Sequence, residues 1–453
     1  MADTYDVLVI GAGPAGEHAA GRLADAGLRV AIVERELVGG ECSYWGCIPS
    51  KTLIRPGAAE AVTGRLDSSA ALAQRDYMTS GWRDEGQLRW LESKGIGFIR
   101  GTGRLTGERA VEVETADGAI RPLRAARAVV LATGSRPFVP PVPGLAEARP
   151  WDNRAATSTK EVPRRLLVLG GGAVGVEMAQ AFKRLGSEEV VVLEGADRLL
   201  AREEPFAGQE LQAAFEAEGI TVVTGVRMTA ARRLGHDGPV VAQVTDGREF
   251  TGDEILVAVG RRPATADLGL EHVAVEPGRP VRVDRRLRAA GVPGGWLYAI
   301  GDCNGLAPLT HMGKYHGRIA AAAILGQDVA DEASDAVVPR VTFTDPQVCA
   351  VGLTAAQARA AGLRVTVVST PTGEVPGAYT QGDGIRGTSQ LVIDDQRRTI
   401  AGATFTGPGL QELLHSATVA ICGGVTVDQL RHAVPSFPTV SEVWLHLVEA
   451  YGL

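Results

Sequence analysis

Two stretches of the chain repeat one pattern of apolar and polar positions. Val7-Leu8-Val9-Ile10 is a short, uninterrupted apolar run, which predicts a parallel strand buried on both faces. It leads into Gly11-Ala12-Gly13-Pro14-Ala15-Gly16, then a helix reaching to about Gly27, then the strand Val30-Ala31-Ile32-Val33-Glu34. The same order recurs at Leu166-Leu167-Val168-Leu169, Gly170-Gly171-Gly172-Ala173-Val174-Gly175, a helix to Gly186, and Val190-Val191-Val192-Leu193-Glu194. Each unit ends on an acid about two dozen residues after its first glycine, the spacing of a dinucleotide-binding strand–turn–helix. A later strand also recurs, Val129-Val130-Leu131-Ala132-Thr133-Gly134 in the first half and Ile255-Leu256-Val257-Ala258-Val259-Gly260 in the second.

From about Val337 the pattern changes. Pro339-Arg340-Val341-Thr342-Phe343, Gln390-Leu391-Val392-Ile393 and Thr399-Ile400-Ala401-Gly402-Ala403-Thr404-Phe405 read as strands, the last two joined by the polar turn Asp394-Asp395-Gln396-Arg397-Arg398. Helices are expected around Leu410–Cys422 and over 440–451. This is antiparallel grammar with no glycine-rich nucleotide turn, as expected of an α+β interface module. The fold class is therefore α/β: two Rossmann-like doubly wound domains plus an α+β C-terminal dimerisation domain. The expected division is 1–152, 153–280, a return to the first domain over 281–336, and 337–453.

One glycine fingerprint is weak evidence, but two in register, each between strand and helix and each followed by an acid, are strong. The glycines allow a tight turn and close approach of the backbone, the helix N-terminus meets a pyrophosphate, and the acid accepts from ribose hydroxyls. Composition narrows the rest. The 453 residues are 45% hydrophobic and 22% charged, those of a globular protein long enough for two to four domains. A net charge of −7 argues against a nucleic-acid or anionic-membrane surface. No apolar run approaches a membrane span, and Met1-Ala2-Asp3 leads straight into a strand, so no leader and a cytoplasmic location are expected.

The candidate chemistry lies in Gly39-Gly40-Glu41-Cys42-Ser43-Tyr44-Trp45-Gly46-Cys47-Ile48-Pro49-Ser50-Lys51. Two thiols this close together gain little stability from a bond between them, so the pair reads as a redox centre. Pro49 and the apolar residues beyond it predict a helix starting near Cys47, whose free N–H groups and dipole favour a thiolate there. Five cysteines, an odd number, fit a reducing compartment with one catalytic pair; Cys303, Cys349 and Cys422 read as small buried hydrophobes. No second cysteine pair lies nearby to make a metal site. Only five of the 46 basic residues are lysines, namely Lys51, Lys94, Lys160, Lys183 and Lys314. In a chain that otherwise uses arginine, a lysine beside the thiols reads as chosen for its compact ammonium.

On these motifs, over nearly its whole length, the chain resembles the flavoprotein pyridine-nucleotide disulfide oxidoreductases, a group that includes dihydrolipoamide dehydrogenase, glutathione reductase and mercuric reductase. The resemblance implies FAD in the first unit, a nicotinamide nucleotide in the second, and an active site completed across a homodimer. Gly11, Gly13, Gly16 and Glu34 would hold the ADP half of FAD, Thr133 and Gly134 a second flavin contact, and Gly301 and Asp302, within Tyr298-Ala299-Ile300-Gly301-Asp302, a third. Gly170, Gly172, Gly175, Glu194 and Gly260 would hold the nicotinamide nucleotide. An acid at Glu194 favours NADH over NADPH, although Arg198 lies four residues on. Cys47 would lie against the flavin and Cys42 would meet substrate. Lys51, paired with Glu177, would stand near flavin N5.

The departures from the family narrow the reading. Its disulfide-reducing members end on His-Pro-Thr, two more residues, then Glu, the His acting as acid–base on the partner subunit's interchange thiol. Here the stretch is Phe437-Pro438-Thr439-Val440-Ser441-Glu442. Phe437 carries no proton, His432 and His446 do not occupy the matching position, and Glu442 is left without its histidine. Ala173 replaces a bulky gate on the nicotinamide side. Tyr44 and Trp45 either shape an apolar pocket or pack under the thiol loop. Ala179-Gln180-Ala181-Phe182 resembles a segment of mercuric reductase, but that enzyme uses a C-terminal cysteine pair and this chain ends Ala450-Tyr451-Gly452-Leu453, so metal handling by that route is not expected.

The expected function is an NAD(P)H-dependent FAD oxidoreductase feeding Cys42–Cys47 and then a small-molecule acceptor: a non-standard disulfide, a quinone or a metal ion. The alternatives are direct flavin-to-quinone transfer with modulatory thiols, and a dihydrolipoamide-dehydrogenase-like component of a multienzyme complex.

Overall fold

The computed structural model describes residues 2–63, 67–335, 337–382 and 384–452, the side chains of 56–63 excepted. Its contacts group into two compact units. The first comprises Met1–Pro49, Ala73–Phe138 and Gly260–Asp335; the second comprises Ser50–Leu72, Val139–Val259 and Ala336–Leu453.

In the first unit the run around Val7-Leu8-Val9-Ile10 forms the strand Asp3–Ile10, with Val30–Glu34 and Ile120–Leu131 parallel on either side. Gly97–Arg100 extends the sheet beyond Val30–Glu34, and Leu297–Ala299 pairs with the end of Ile120–Leu131. Val7, Leu8, Val9 and Val129 to Leu131 are buried on both faces, which is why they alternate so little in the sequence. The helix Pro14–Asp25 follows the first glycine turn, with Pro14 at its first position and Gly16, Ala19, Ala20 and Leu23 on its buried face. The antiparallel strands Thr102–Gly107 and Ala110–Glu114, which the sequence pattern did not reveal, join the first half of Ile120–Leu131.

The second unit repeats the design. Ile220–Val223, Glu189–Leu193, Arg165–Leu169 and Glu254–Val257 form a parallel sheet in that order, and the helix Ala173–Arg184 follows the second glycine turn. Phe182 of that helix is fully buried against Leu166, Val168, Leu211 and Phe215, with Trp151 at a ring-centroid distance of 5.9 Å. The C-terminal region forms a five-stranded antiparallel sheet in the order Arg340–Thr342, Gln347–Gly352, Thr399–Gly407, Thr388–Asp394, Val365–Pro371. The helices Leu410–Cys422 and Val443–Ala450 share its core.

Three sequence expectations need adjustment. Cys422 is exposed, because the buried face of its helix runs through Leu410, Leu413, Leu414, Ala417 and Ala420 and leaves position 422 outside. The helix expected over 440–451 divides into a 3-10 turn, Val440–Glu442, and the helix Val443–Ala450. The strands expected over 129–134 and 255–260 stop at Leu131 and Val257, and the chain turns through Gly134 (φ 69°) and Gly260 (φ 135°). Such turns at the carboxyl ends of parallel strands are where an open α/β sheet forms its ligand crevice.

Truncating Phe182 would leave a cavity at the centre of the second unit. Phe182→Ala is expected to cost about 3–5 kcal/mol, read as a lower urea midpoint with unchanged far-ultraviolet circular dichroism before the transition.

Candidate active site

Cys42 and Cys47 both belong to the first unit and both are half-buried. Gly39 is left-handed (φ 114°) and opens the short helix Gly40–Tyr44 that carries Cys42. Cys47 is the first residue of the helix Cys47–Thr63, as the sequence predicted. Its Sγ lies 3.2 Å from Oγ1 of Thr310, which is itself the first residue of the helix Thr310–Ile324. Two long helices thus aim their N-termini at one sulfur, a field that favours negative charge. The Cys42 thiol is pushed far above its ordinary value, first by its hydrogen bond to Cys47, then by burial and by the charge on Cys47; Thr310 and Lys314 pull the other way. These effects favour keeping the proton on Cys42 rather than on Cys47.

The thiol loop is braced from beneath. Tyr44 is buried, its hydroxyl within hydrogen-bond reach of the carbonyls of Val38 and Arg83 at 3.2 and 3.3 Å, and Trp82 Nε1 donates to its carbonyl at 3.1 Å. Of the two readings for this residue, packing under the loop is the one found; Trp45 is half-buried beside it, rings 5.7 Å apart. Glu41, next to Cys42, pairs with Arg261 at 3.4 Å. Arg261 donates to Ser135 Oγ at 2.7 Å and to the Ser135 carbonyl at 2.8 Å, and Ser135 Oγ donates to Asp302 at 2.5 Å. A continuous polar chain joins the redox loop to Asp302.

The glycine turns fit a dinucleotide. A Cβ on Gly11 would lie 2.4 Å from the Ala132 carbonyl oxygen and one on Gly16 2.0 Å from that of Gly11, whereas Gly13 faces open space. The second turn matches: 2.7 Å for Gly170 against the Ala258 oxygen, 1.9 Å for Gly175 against the Gly170 oxygen, and open space at Gly172. Outer glycines make the turn tight, and the middle one leaves room for a pyrophosphate at the helix start. Glu34 accepts from the N–H groups of Ala12 and Glu36, both at 2.8 Å, and Glu194 from those of Gly171 and Ala196. Each carboxylate is held by backbone donors and keeps lone pairs for ribose hydroxyls. These residues are the donors and spaces that FAD in the first unit and a nicotinamide nucleotide in the second require. Thr133 and Gly134 follow the strand end, Gly301 is left-handed at φ 70° against Ala15, and Gly260 belongs to the first unit, its carbonyl accepting from Phe138.

The second unit holds the other pair. Lys51 Nζ bonds Glu177 Oε2 at 2.7 Å, Phe343 N–H donates to the other carboxylate oxygen at 2.9 Å, and the ammonium lies 4.8 Å from the Phe343 ring centroid. Glu177 is 5% exposed and Lys51 28%. Glu442 is also in this unit, its Oε2 buried without a hydrogen-bond partner, while Phe437 is 75% exposed and His432 is exposed. Ala173 is exposed at the start of its helix, and Val174 beside it is 42% exposed. Among the described residues no group of three or more His, Cys, Asp or Glu could hold a metal ion, and no helix is long and apolar enough to cross a membrane.

Thr310, Arg261 and Ser135 did not stand out in the sequence, because each acts through a partner far along the chain. Lys314 carried a signal in the scarcity of lysine, and Glu17 one in being an acid directly after the third glycine of the fingerprint.

Comparison with known proteins agrees with this geometry. Residues 5–323 match the pyridine nucleotide-disulphide oxidoreductase family, and residues 338–448 match its dimerisation domain. Dihydrolipoyl dehydrogenase of Thermus scotoductus is 35% identical over 99% of this chain and 97% of its own length. Mercuric reductase of Staphylococcus aureus is 30% identical over 97% of this chain and 81% of its own. Among solved structures, the Cu(II) complex of the HOCl-induced flavoprotein disulfide reductase RclA from Escherichia coli superposes with a TM-score of 0.89 at 27% identity, covering 99% of both chains. LpdA from Mycobacterium tuberculosis superposes with 0.87 at 25% identity over 100% of both.

The Lys51–Glu177 pair is asymmetric, since the carboxylate is the more deeply buried member. Lys51→Met strands a buried charge and is expected to cost about 1–3 kcal/mol, below the full cost of breaking a buried pair because Lys51 is partly solvated. Glu177→Gln leaves a lysine that water can reach and costs less. Paired urea melts check the order.

Proposed function

Because this chain belongs to the pyridine nucleotide-disulphide oxidoreductase family, FAD-dependent enzymes that draw on NAD(P)H, we propose that it passes an electron pair from NADH through FAD to Cys42–Cys47. The final acceptor is a small molecule reduced without a C-terminal histidine: a disulfide with an acidic leaving thiol, a quinone or a metal ion. The observation that carries this reading is an intact thiol pair, with Cys47 under two helix N-termini, in a chain that has the exposed Phe437 where the family's proton donor stands. General acid–base help is worth about 10²–10⁴ in rate, so its loss sorts acceptors by how much they need a proton as their bond breaks. A thiol of low pKa leaves unaided.

When bound, FAD supplies hydride uptake from the nicotinamide and an electron pair for the thiols. Gly11, Gly13, Gly16 and Glu34 hold its ADP half, with Thr133, Gly134, Gly301 and Asp302 as further contacts. Cys47 keeps the negative charge and Cys42 meets the acceptor. Lys51, fixed by Glu177, sets a positive charge beside the site of hydride arrival. Gly170, Gly172, Gly175, Glu194 and Gly260 serve the nicotinamide nucleotide. Glu194 accepts from a free 2′-hydroxyl and repels a 2′-phosphate, while Arg198, which could neutralise that phosphate, directs its guanidinium at Asp197 (3.1 Å) and the Ala201 carbonyl (2.9 Å). The matched dimerisation domain and the exposed apolar residues Val419, Val434, Phe437 and Leu445 support a homodimer. Five cysteines, an odd number, support a reducing cytoplasm. A metal-ion acceptor draws support from the mercuric reductases and the copper-bound RclA among the similar proteins.

Anaerobic reduction by NADH is expected to raise a long-wavelength band in the wild type that Cys47→Ser lacks; identical spectra would sink the dithiol step. A panel of disulfides, quinones and metal ions then identifies the acceptor, and quinone turnover that survives Cys42→Ser would favour direct flavin transfer instead. Steady-state kcat/KM is expected to be higher with NADH than with NADPH, and Glu194→Gln should narrow the gap.

A further inference from the structure

The missing histidine leaves a question of where protons come from, and the first unit holds an unassigned acid on the helix start that the thiol loop crosses. Glu17 lies in the first turn of the helix Pro14–Asp25, its N–H donating to the Gly13 carbonyl at 3.0 Å. The thiol loop crosses that same helix end: Gly39 N–H donates to the Ala12 carbonyl at 2.8 Å, and a Cβ on Gly40 would lie 2.8 Å from Gly13 Cα. The helix Thr310–Ile324 crosses it from another side, where a Cβ on Gly313 would sit 3.3 Å from the Ala15 Cβ and one on Gly317 2.8 Å from the Ala15 carbonyl oxygen. Three elements therefore converge on one turn: the helix with Glu17, the loop with Cys42, and the helix with Thr310 and Lys314. Thr310 and Lys314 are four residues apart and share a helix face. Thr310 Oγ1 touches Cys47, and the Lys314 ammonium acts on both the Cys42 thiol and the Glu17 carboxyl.

Building on the dithiol reading above, we propose that Glu17 is the acid–base group of the thiol pair, taking the Cys42 proton as Cys42 attacks the acceptor and returning it to the atom that leaves. With a disulfide R–S–S–R′, Cys42 sulfur bonds to one acceptor sulfur as the S–S bond breaks, and the leaving R′S takes the proton from Glu17. Cys47 thiolate then bonds to Cys42 and releases RS⁻. One thiol and one thiolate of the protein are oxidised to a disulfide; the acceptor disulfide is reduced to one thiol and one thiolate.

The environment suits that work. Burial pushes the Glu17 carboxyl up to about 7; Lys314 opposes the rise and Glu34 adds to it. A general acid operates best with its pKa near the working pH. The other charged or titratable groups around this turn are His18 and Arg22 on its own helix, Lys314 and Arg318 on the crossing helix, Glu34 at the strand end and Tyr44 in the thiol loop. His18 is held low, first by burial and then by Arg22, Arg318 and Lys314, so it stays neutral and does not compete for the proton.

The test compares two acceptors on holoenzyme: hydroxyethyl disulfide, whose alkyl thiol leaves poorly, and dithiobis(nitrobenzoate), whose aryl thiol is acidic. Glu17→Gln should slow the alkyl disulfide by about 10²-fold and the aryl disulfide far less, so the ratio of the two rates changes. The wild-type alkyl rate should rise with pH through about 7, where Glu17 becomes the carboxylate that takes the Cys42 proton, and that limb should vanish in Glu17→Gln and return in Glu17→Asp. Alkylation of Cys42 by iodoacetamide, read by mass spectrometry, should titrate in two steps in the wild type and one in Glu17→Gln. A wild type inert toward the alkyl disulfide, or a rate ratio and pH limb unchanged in Glu17→Gln, overturns the proposal while a Cys47-dependent band leaves the dithiol reading standing. Absence of that band in the wild type overturns both.

Discussion

A half-buried sulfur can carry negative charge only if positive ends of dipoles are brought to it, and the contact between Cys47 Sγ and Thr310 Oγ1 is where this chain meets that condition. The two residues are 263 positions apart in the sequence, each the first of a long helix. The rest of the first unit serves this meeting. The parallel strands fix where the helices begin, and small residues let them approach: Ala15 against Gly301 and Gly313 on one side, Gly13 against Gly40 on the other. A side chain at Gly40 would press on Gly13 Cα at 2.8 Å and force the thiol loop away from the helix start.

The same convergence separates electron and proton traffic. Electrons need only distance and a favourable charge distribution, which helix starts and glycine turns can supply from the backbone. Protons need a group that changes state near neutral pH. In the family resemblance that role belongs to a histidine of the C-terminal domain; with Phe437 at the matching position, the proposal above gives it to an acid of the first unit. An acid directly after a nucleotide-binding fingerprint would ordinarily be a poor neighbour for a pyrophosphate. Lys314, one of five lysines, offsets that charge.

How much of this was written in the sequence depends on how local the signal was. Both strand–turn–helix units were legible because their glycines, apolar runs and terminal acids all lie within one short segment each. The start of the helix at Cys47 was legible from Pro49, and the Lys51–Glu177 pair from the rarity of lysine together with the family resemblance. The meander Thr102–Gly107 and Ala110–Glu114 was not, since its alternation is short and rests on few apolar residues, with Gly103 and Leu105 buried in one strand and Val111 and Val113 in the other. Cys422 was misread because cysteine type alone does not say which face of a helix it occupies. Glu17 was passed over for the opposite reason: a charged residue in a first helical turn is common, and only the crossing of two other elements makes it unusual.

The chain of contacts from Glu41 through Arg261 and Ser135 to Asp302 has a mechanical meaning as well as an electrostatic one. Loops that carry reactive sulfurs must open and close a bond between them at every turnover, a movement of the order of an ångström in the sulfur positions. Cross-bracing the loop to Asp302 confines that movement to the side chains, like a hinge pin that lets the door swing while the frame stays square. The backbone around the sulfurs would then stay in place from cycle to cycle, even as a bond between them is made and broken.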